Sequence, residues 1–554
     1  MSFVTGTAAN FRALLDALDA FLTDQGHAWG LVFSGDGNGV MSGWEGGASS
    51  VHETITVTML DSLDFDVVGS VTGHIGYGTV GSPFSSAYVG FSIEAGSQDF
   101  QAGDAWTLST SPAWTQKRRD LLDEISTTGT GLTGNNSFHR LADGILDKVT
   151  GGEGTVYYSD SASLPIDLVF EHESPITVVE YGIVLPALNA YPTSWTLDYW
   201  EESSGSWVTA DSQSSYAWSP YVAGTIEVFT LAASKTAARW RIQVTARFST
   251  GIEISQILFR STNGGYNRLE ETVVWQMPGD DGTRTALFGL RPLQRADQDY
   301  FTWELFTMDS WSATAELADQ TNLERNAYLP VWNDPMDYWF SARGSHVRGV
   351  VKVGTQYESF GCGFLDPWFP PNEWPLPMFL GCSLTKNSAS GVYTGPSNTS
   401  SLRHSVATRS HSSYVIPGAI PAVSGSPTLW DQLAHSNMQL RVRLFDGTYR
   451  GFYANNDGSF TSIGLESAPV PPGYVLPYYR GFQSVALSLD DQPILWDVII
   501  GTLTDMLGEL PGVKAVSGDS VSAETIVRRG AIDYLVVPDI FRSGFSDFYA
   551  FALD

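Results

Sequence analysis

Two periodicities divide this chain. Between residues 8 and 24, Phe11, Leu14, Leu15, Leu18, Phe21 and Leu22 recur at helical spacing, with Asp16, Asp19 and Asp24 off that face. That pattern predicts one amphipathic helix packed on the sheet that follows. From Trp29 to about Ser111 the period falls to two. In HETITVTML, Thr54, Thr56 and Thr58 alternate with Ile55, Val57 and Met59, and AYVGFSIEAG alternates in the same way. Clusters such as SGDGNG and GSPFSS separate these runs as turns. Residues 112–146 are expected to form a connector, with TQKRRDLLDEI helical and STTGTGLTGNNS a loop. Strand patterns return in PITVVEYGIVLP, TSWTLDYW, WVTAD, AARWRIQVTARF and GIEISQILFRS. In TSWTLDYW, alternation places Trp200 on the opposite strand face from Trp195 and Tyr199.

Beyond residue 263 short strands are predicted at ETVVWQM, DYWFSARG, VRGVVKVG, MQLRVRLF and GYVLPYYRG, and YANNDGSF reads as a turn. DPWFPPNEWPLPMF does not suit a central strand, because its prolines lack the N–H that a ladder needs. It is predicted as a buried, Pro-stiffened loop or an edge that another chain covers. The patterns together predict a mainly β, multidomain protein. Its parts are antiparallel β-sandwich or jelly-roll modules, an N-terminal amphipathic helix, and a Pro- and aromatic-rich C-terminal β region. The expected divisions are a helix with a small antiparallel β domain (1–111), a connector (112–146), a β-sandwich (147–262) and a C-terminal β-rich assembly domain (263–554).

Composition agrees with this picture. Charged residues are 16% of the 554, so Ser, Thr, Gly, Asn and Gln carry the polar surface, as suits short strands joined by turns. The formal charge of −30 repels phosphate backbones and argues against nucleic acid and against a polybasic membrane contact. It favours divalent cations or a basic partner, and the sequence does not choose between them. No run of eighteen apolar residues is present, so no membrane-spanning segment is expected, and the N-terminus shows no secretory pattern. The two cysteines, Cys362 and Cys382, are expected as small buried thiols in a protein folded in a bacterial cytoplasm.

One block carries a resemblance. Trp195, Leu197 and Tyr199 form a W-x-L-x-Y strand, and Gly205, Ser206 and Trp207 form a polar hairpin leading to a Trp. Ala238, Arg239, Trp240, Arg241 and Ile242 then make an A-R-x-R-I strand before IEISQILF. In this order they resemble the discoidin (coagulation factor 5/8 C-terminal) family over residues 147–262, about a fifth of the chain, which implies a jelly-roll-like sandwich. The cysteines that often pin that family's termini are absent. A second resemblance lies at the C-terminus. Gly508, Glu509, Leu510, Gly512 and Val513, followed by Tyr534, Leu535, Val536, Arg542, Ser543, Asp547, Phe548 and Ala550, resemble the closing segment of large virion proteins of tailed bacteriophages.

Catalytic chemistry leaves little trace. SGDSVS (517–522) has no downstream His, and SLTK (383–386) lacks its companion motifs. His404 and His411 lie in a Ser-rich loop, no Cys-x-x-Cys or His-x-x-x-His spacing marks a metal, and no phosphate-binding Gly loop marks a cofactor. SGDGNG lacks the downstream acidic ligand of a calcium loop and reads as a hairpin turn. Among 60 acidic residues some pair stands at a workable separation for glycoside hydrolysis, and nothing singles one out. Ligand contact is expected at a sandwich end, from Trp218 and Tyr221 in SSYAWSPYV.

The resemblances imply a structural protein of a phage virion, not an enzyme: an oligomeric tail-tip or baseplate subunit. It would assemble with other tail proteins, and host-surface glycan is a further expected partner. The alternative is a carbohydrate-binding adhesin or glycan-active protein with a discoidin-like module.

Overall fold

The computed structural model describes residues 3–126, 157–382, 440–452 and 488–553, apart from short interruptions within them. It is mainly β, as the alternation predicts, with one described α-helix. That helix, Phe11–Thr23, starts at Asn10, whose side-chain oxygen accepts the N–H groups of Arg12 (3.0 Å) and Ala13 (2.9 Å) and so satisfies two donors of the first turn. Leu14, Leu15, Leu18 and Leu22 are buried, which is the predicted face.

The helix does not pack on the small β domain that follows it. Its apolar face enters a core with Trp275, Phe288, Trp303 and Phe340, from the C-terminal half of the chain. Asp19 is buried there and accepts from the Trp275 indole (2.6 Å), Gln116 (2.8 Å) and Arg119 (2.5 Å). The strand before the helix, Phe3–Ala8, pairs antiparallel with Met336–Arg343, over three hundred residues away. Both elements therefore belong to a central body.

That body has three β layers. The middle sheet runs Phe3–Ala8, Met336–Arg343, His346–Val353, Gln356–Phe364, Met378–Cys382, Leu440–Arg443, Tyr449–Phe452. One face, including Val351, Phe360 and Leu380, meets a five-stranded sheet that contains Thr272–Pro278, Thr285–Gln294, Tyr300–Thr307 and Glu324–Trp332. The other face, including Val350, Tyr357 and Phe379, meets a C-terminal sheet through Leu507, Val513, Leu535 and Phe551. A sheet covered on both faces needs apolar residues at successive positions, and every residue of Met378–Cys382 is buried. Cys362 and Cys382 lie in this core as buried thiols on adjacent strands, not bridged to each other, and burial pushes the Cys362 thiol up to about 12.

The GELPGV segment lies in the strand Met506–Val516. There the backbone turns at Gly512 (φ +63°) around the guanidinium of buried Arg348, which donates to the Pro511 carbonyl at 2.6 Å. A Cβ at Gly512 would stand 1.9 Å from that guanidinium, so both the backbone and the space require glycine.

Two domains are inserted in this body. Residues 27–111 form a small sandwich of a five-stranded and a three-stranded sheet around Ile55, Val57, Phe91 and Trp106. Its SGDGNG turn is held by Asp104, whose carboxylate accepts the N–H groups of Asp36 and Gly37, both at 3.0 Å. The second insertion leaves after the strand Thr115–Asp120 and returns at Thr272–Pro278, and these two strands are antiparallel neighbours. The predicted helix in TQKRRDLLDEI is overturned. The segment forms two strands, Thr115–Asp120 and Leu122–Ser126, paired with Thr272–Pro278 and Ile166–Val184. Gln, Lys, Arg and Leu are good helix formers, but that preference is worth only tenths of a kcal/mol per residue, and pairing to two sheet edges outweighs it. GYVLPYYRG, YANNDGSF, SLTK, His404 and His411 lie outside the described residues.

Candidate functional site

The second insertion is a sandwich built on two long, bent strands, Ile166–Val184 and Ile226–Arg247. Their register gives the domain two distinct ends. Ile166 pairs with Val244, Phe170 with Trp240, Ile176 with Ala237 and Val184 with Ile226, so each strand runs to one end, bends and returns. The chain enters beside the bends, where Leu122 pairs with His172, and leaves there, where Arg260 pairs with Tyr266. The described residues of 185–191, 214–225 and 247–255 gather at the other end. Backbone bonds tie them together: Ser255 N–H to Val184 (2.7 Å), Glu253 N–H to Ala190 (2.6 Å), Phe248 N–H to Tyr191 (3.0 Å) and Tyr216 N–H to Thr193 (2.7 Å). This loop end lies away from the tether to the central body.

Aromatic packing closes that end from inside. Trp195 is buried, its indole N–H donates to the Tyr181 hydroxyl at 2.9 Å, and Tyr181 donates to Asp211 at 2.7 Å. Burial first, and then Asp211, push the Tyr181 hydroxyl far above the ordinary phenol range. Tyr216 is hydrogen-bonded to Glu227; burial and that carboxylate push its hydroxyl up to about 12.

Trp218, expected at a ligand surface, belongs to this interior. It is 4% exposed, lies 5.9 Å from Trp195 and 5.3 Å from Tyr216 between ring centroids, and donates its indole N–H to the Pro192 carbonyl at 2.7 Å. With its ring enclosed and its N–H satisfied, Trp218 supports the end of the sandwich and offers no open ring face. Tyr221 lies outside the described residues.

The aromatic surface at this end is made by other residues. Phe248 is 63% exposed and stacks on Tyr191, with ring centroids 4.7 Å apart and planes 9° from parallel. Tyr191 in turn packs edge-on against Trp218 at 6.4 Å. The result is a shelf of two parallel rings backed by a buried indole. A faint sequence signal for it exists. Trp240, Ile242 and Val244 are buried, and Phe248 continues their even spacing in the sequence, but the register shifts between Val244 and Arg247, the last paired residue of the strand. An apolar ring past such an irregular strand end is carried off the core. Polar groups stand nearby: Glu253, whose carboxyl burial raises above the ordinary range, follows from the loop bonded to Ala190, and Arg247 precedes Phe248.

The outer face of the same sheet shows the opposite arrangement. Trp200 sits there, as alternation predicts, paired across strands with Trp207. Arg239 lies 4.8 Å from the Trp200 ring and Arg241 4.8 Å from the Trp207 ring, and Arg241 is also bonded to Asp198 (2.7 Å) and Asp167 (3.3 Å). These groups satisfy one another. Among the described residues no group of three His, Cys, Asp or Glu side chains is placed to hold a metal ion.

No family model matches the chain, and no curated protein matches it. Solved structures match about a quarter of it. The family 32 carbohydrate-binding module of Streptococcus pneumoniae EndoD is matched over 27% of this chain and 100% of that one, at 15% identity and TM-score 0.21. Chitosan-binding module 1 of a Paenibacillus sp. IK-5 chitosanase/glucanase is matched over 25% and 95%, at 19% identity and TM-score 0.20. SpGH29, at 18% identity and TM-score 0.20, is matched over 25% of this chain and 27% of its own length. At these values the chain is similar to them in part only.

Proposed function

We propose that this chain is a carbohydrate-binding protein whose discoidin-like sandwich holds a sugar against the Tyr191–Phe248 shelf. The observation that carries this reading is a solvent-facing ring, 63% exposed, held parallel to a second ring at the untethered end of the domain. Leaving a Phe in water forgoes about 2 kcal/mol of burial. A flat ring pre-positioned by a stacked neighbour suits the apolar C–H face of a pyranose, and it loses little side-chain entropy on binding. Glu253 and Arg247 are the ionisable groups nearest to Phe248 in sequence, and both could meet sugar hydroxyls. The role is one of binding without catalysis.

The test is a glycan array with the full chain, followed by calorimetry on the best ligand, with galactose and chitotriose included because neighbouring structures carry modules for such sugars. Phe248→Ala should abolish binding while the melting temperature stays within about 1 °C, as expected for an exposed ring. An array with no ligand, or a Phe248→Ala protein that binds normally, would sink the proposal.

A second reading, an oligomeric tail or baseplate subunit of a phage virion assembled with other tail proteins, is favoured by one feature. Both sandwiches are inserted into one body that the N-terminal strand and the C-terminal segment close together, an arrangement suited to presenting domains from an assembled core. The two readings are compatible, since a virion subunit can carry a glycan site. Immunogold electron microscopy on released particles separates them: gold at the tail end supports the subunit, and antigen found only off particles removes it.

A further inference from the structure

The Pro-rich segment 366–377 is a second exposed aromatic surface, on the central body and independent of the sandwich. It is anchored at several points. Asp366 and Pro367 pair with Glu509 and Gly508, Trp368 N–H donates to Leu507 (2.9 Å), and Leu365 N–H donates to Pro377 (2.8 Å). The Pro370 carbonyl accepts from Glu373 N–H (2.9 Å) and Trp374 N–H (3.1 Å). Trp374 is buried, and its indole N–H donates to the Arg443 carbonyl at 3.0 Å. On this frame Trp368 is 49% exposed, and Phe445, packed 4.9 Å from Phe369 and 5.1 Å from Trp374, is 44% exposed. Pro370, Pro371 and Pro375 are exposed between them.

The exposed charged side chains of 366–377 and of the turn at 445–448 are all acidic. Asp366, Glu373 and Asp446 are exposed carboxylates. Arg443 is held by both oxygens of Asp309 (2.8 and 2.7 Å), and Arg284 leans on the Phe364 ring at 5.3 Å and reaches the Pro375 carbonyl at 3.3 Å. We infer that this surface docks a basic polypeptide segment, with an apolar side chain seated on Trp368 and Phe445 and Lys or Arg side chains on the three carboxylates. A half-exposed Trp on a proline-stiffened loop has the composition and low ordering cost of a binding hot spot. The carboxylate rim selects the sign of the partner. A second copy of this chain is disfavoured as the occupant, since two bodies of formal charge −30 repel each other.

The test uses the full chain and a fluorescein-labelled octapeptide of alternating Lys and Leu, read by anisotropy across a salt series. Trp368→Ala with Phe445→Ala should weaken binding about tenfold or more, and Asp366→Asn with Glu373→Gln and Asp446→Asn should weaken it and flatten the salt dependence. The matching Glu–Leu peptide should not bind. Hydroxyl-radical footprinting should show Trp368 and Phe445 reactive in the free chain and protected by the Lys–Leu peptide. Equal binding by all variants would mean diffuse attraction to an acidic surface and would overturn the inference. So would a Trp368 already protected in the free chain, or protection by chitotriose and not by the peptide, which would make the surface a carbohydrate site.

Discussion

The central body and the second inserted sandwich place their charge networks differently: the body encloses whole ion pairs, whereas the sandwich's ladder keeps one partner in contact with water. In the body, charge is enclosed. Glu304 is fully buried between Arg291 (2.5 Å) and Arg325 (2.9 Å); burial alone would raise its carboxyl, but the two guanidinium groups hold it down to about 2. His346 is buried beside Arg348, and its Nε2, 3.0 Å from an arginine nitrogen that can only donate, must accept. Burial, then Arg348 and Arg343, keep that imidazole well below its ordinary range. In the sandwich, the Arg241–Asp198–Asp167 ladder lies on the outer face, where Arg241 keeps some solvent contact although Asp198 is itself buried. Enclosed charge makes the body depend on complete networks. An outer polar face leaves the sandwich free to differ at its ends, and that is where an exposed ring is found.

Removing a charge from inside the body should have the largest effect on stability. Glu304→Ala leaves Arg291 buried without its partner, and a loss of about 3–5 kcal/mol is expected, read as the denaturation midpoint of the body. The pH dependence carries the same sign. The Glu304 pKa is depressed on folding, so its stabilisation is present above the unfolded value of roughly 4.3 and is lost as pH falls toward 2. His346, depressed from a value near 6.5, also loses its share as pH falls below that value. The body should therefore melt at progressively lower temperature from about pH 6 downward. A flat profile, or one restored by Glu304→Ala, would break the contrast between the regions.

Gly512→Ala should cost about 1–3 kcal/mol, combining left-handed backbone strain with displacement of Arg348. Hydrogen exchange should locate the loss in the C-terminal sheet, and exchange unchanged there would contradict the role given to this turn. Asp198→Asn, on the sandwich's outer ladder, should cost about 1–2 kcal/mol: the carboxylate is buried, but the amide keeps an acceptor for Thr209, and Arg241 is partly solvated and keeps Asp167. A cost as large as that of Glu304→Ala would erase the distinction. Smallest of all in stability, within about 0.5 kcal/mol, is Phe248→Ala, whose consequence belongs to ligand binding.

The sequence by itself determined the secondary-structure class and much of the local pattern. A period of two records which side chains share a sheet face, so the strands of the small domain, the opposition of Trp200 to Trp195 and Tyr199, and the buried face of the N-terminal helix were all legible, whereas which face of the Trp195 strand is inward was not. SGDGNG was legible as a break between strands but not as the expected hairpin: it links strands of two different sheets, and the carboxylate of the distant Asp104 holds it. What the helix packs on was not, because an amphipathic face specifies burial and not a partner. Only the tertiary structure joined Phe3–Ala8 to Met336–Arg343 and placed the helix beside Trp275. It also made strands of TQKRRDLLDEI, since two distant sheet edges supplied hydrogen bonds that no local rule could anticipate. The same limit governs the candidate site. An aromatic in a loop is enclosed or exposed according to what folds over it, and Trp218 was enclosed while Phe248, one step past the end of its strand, was left in water.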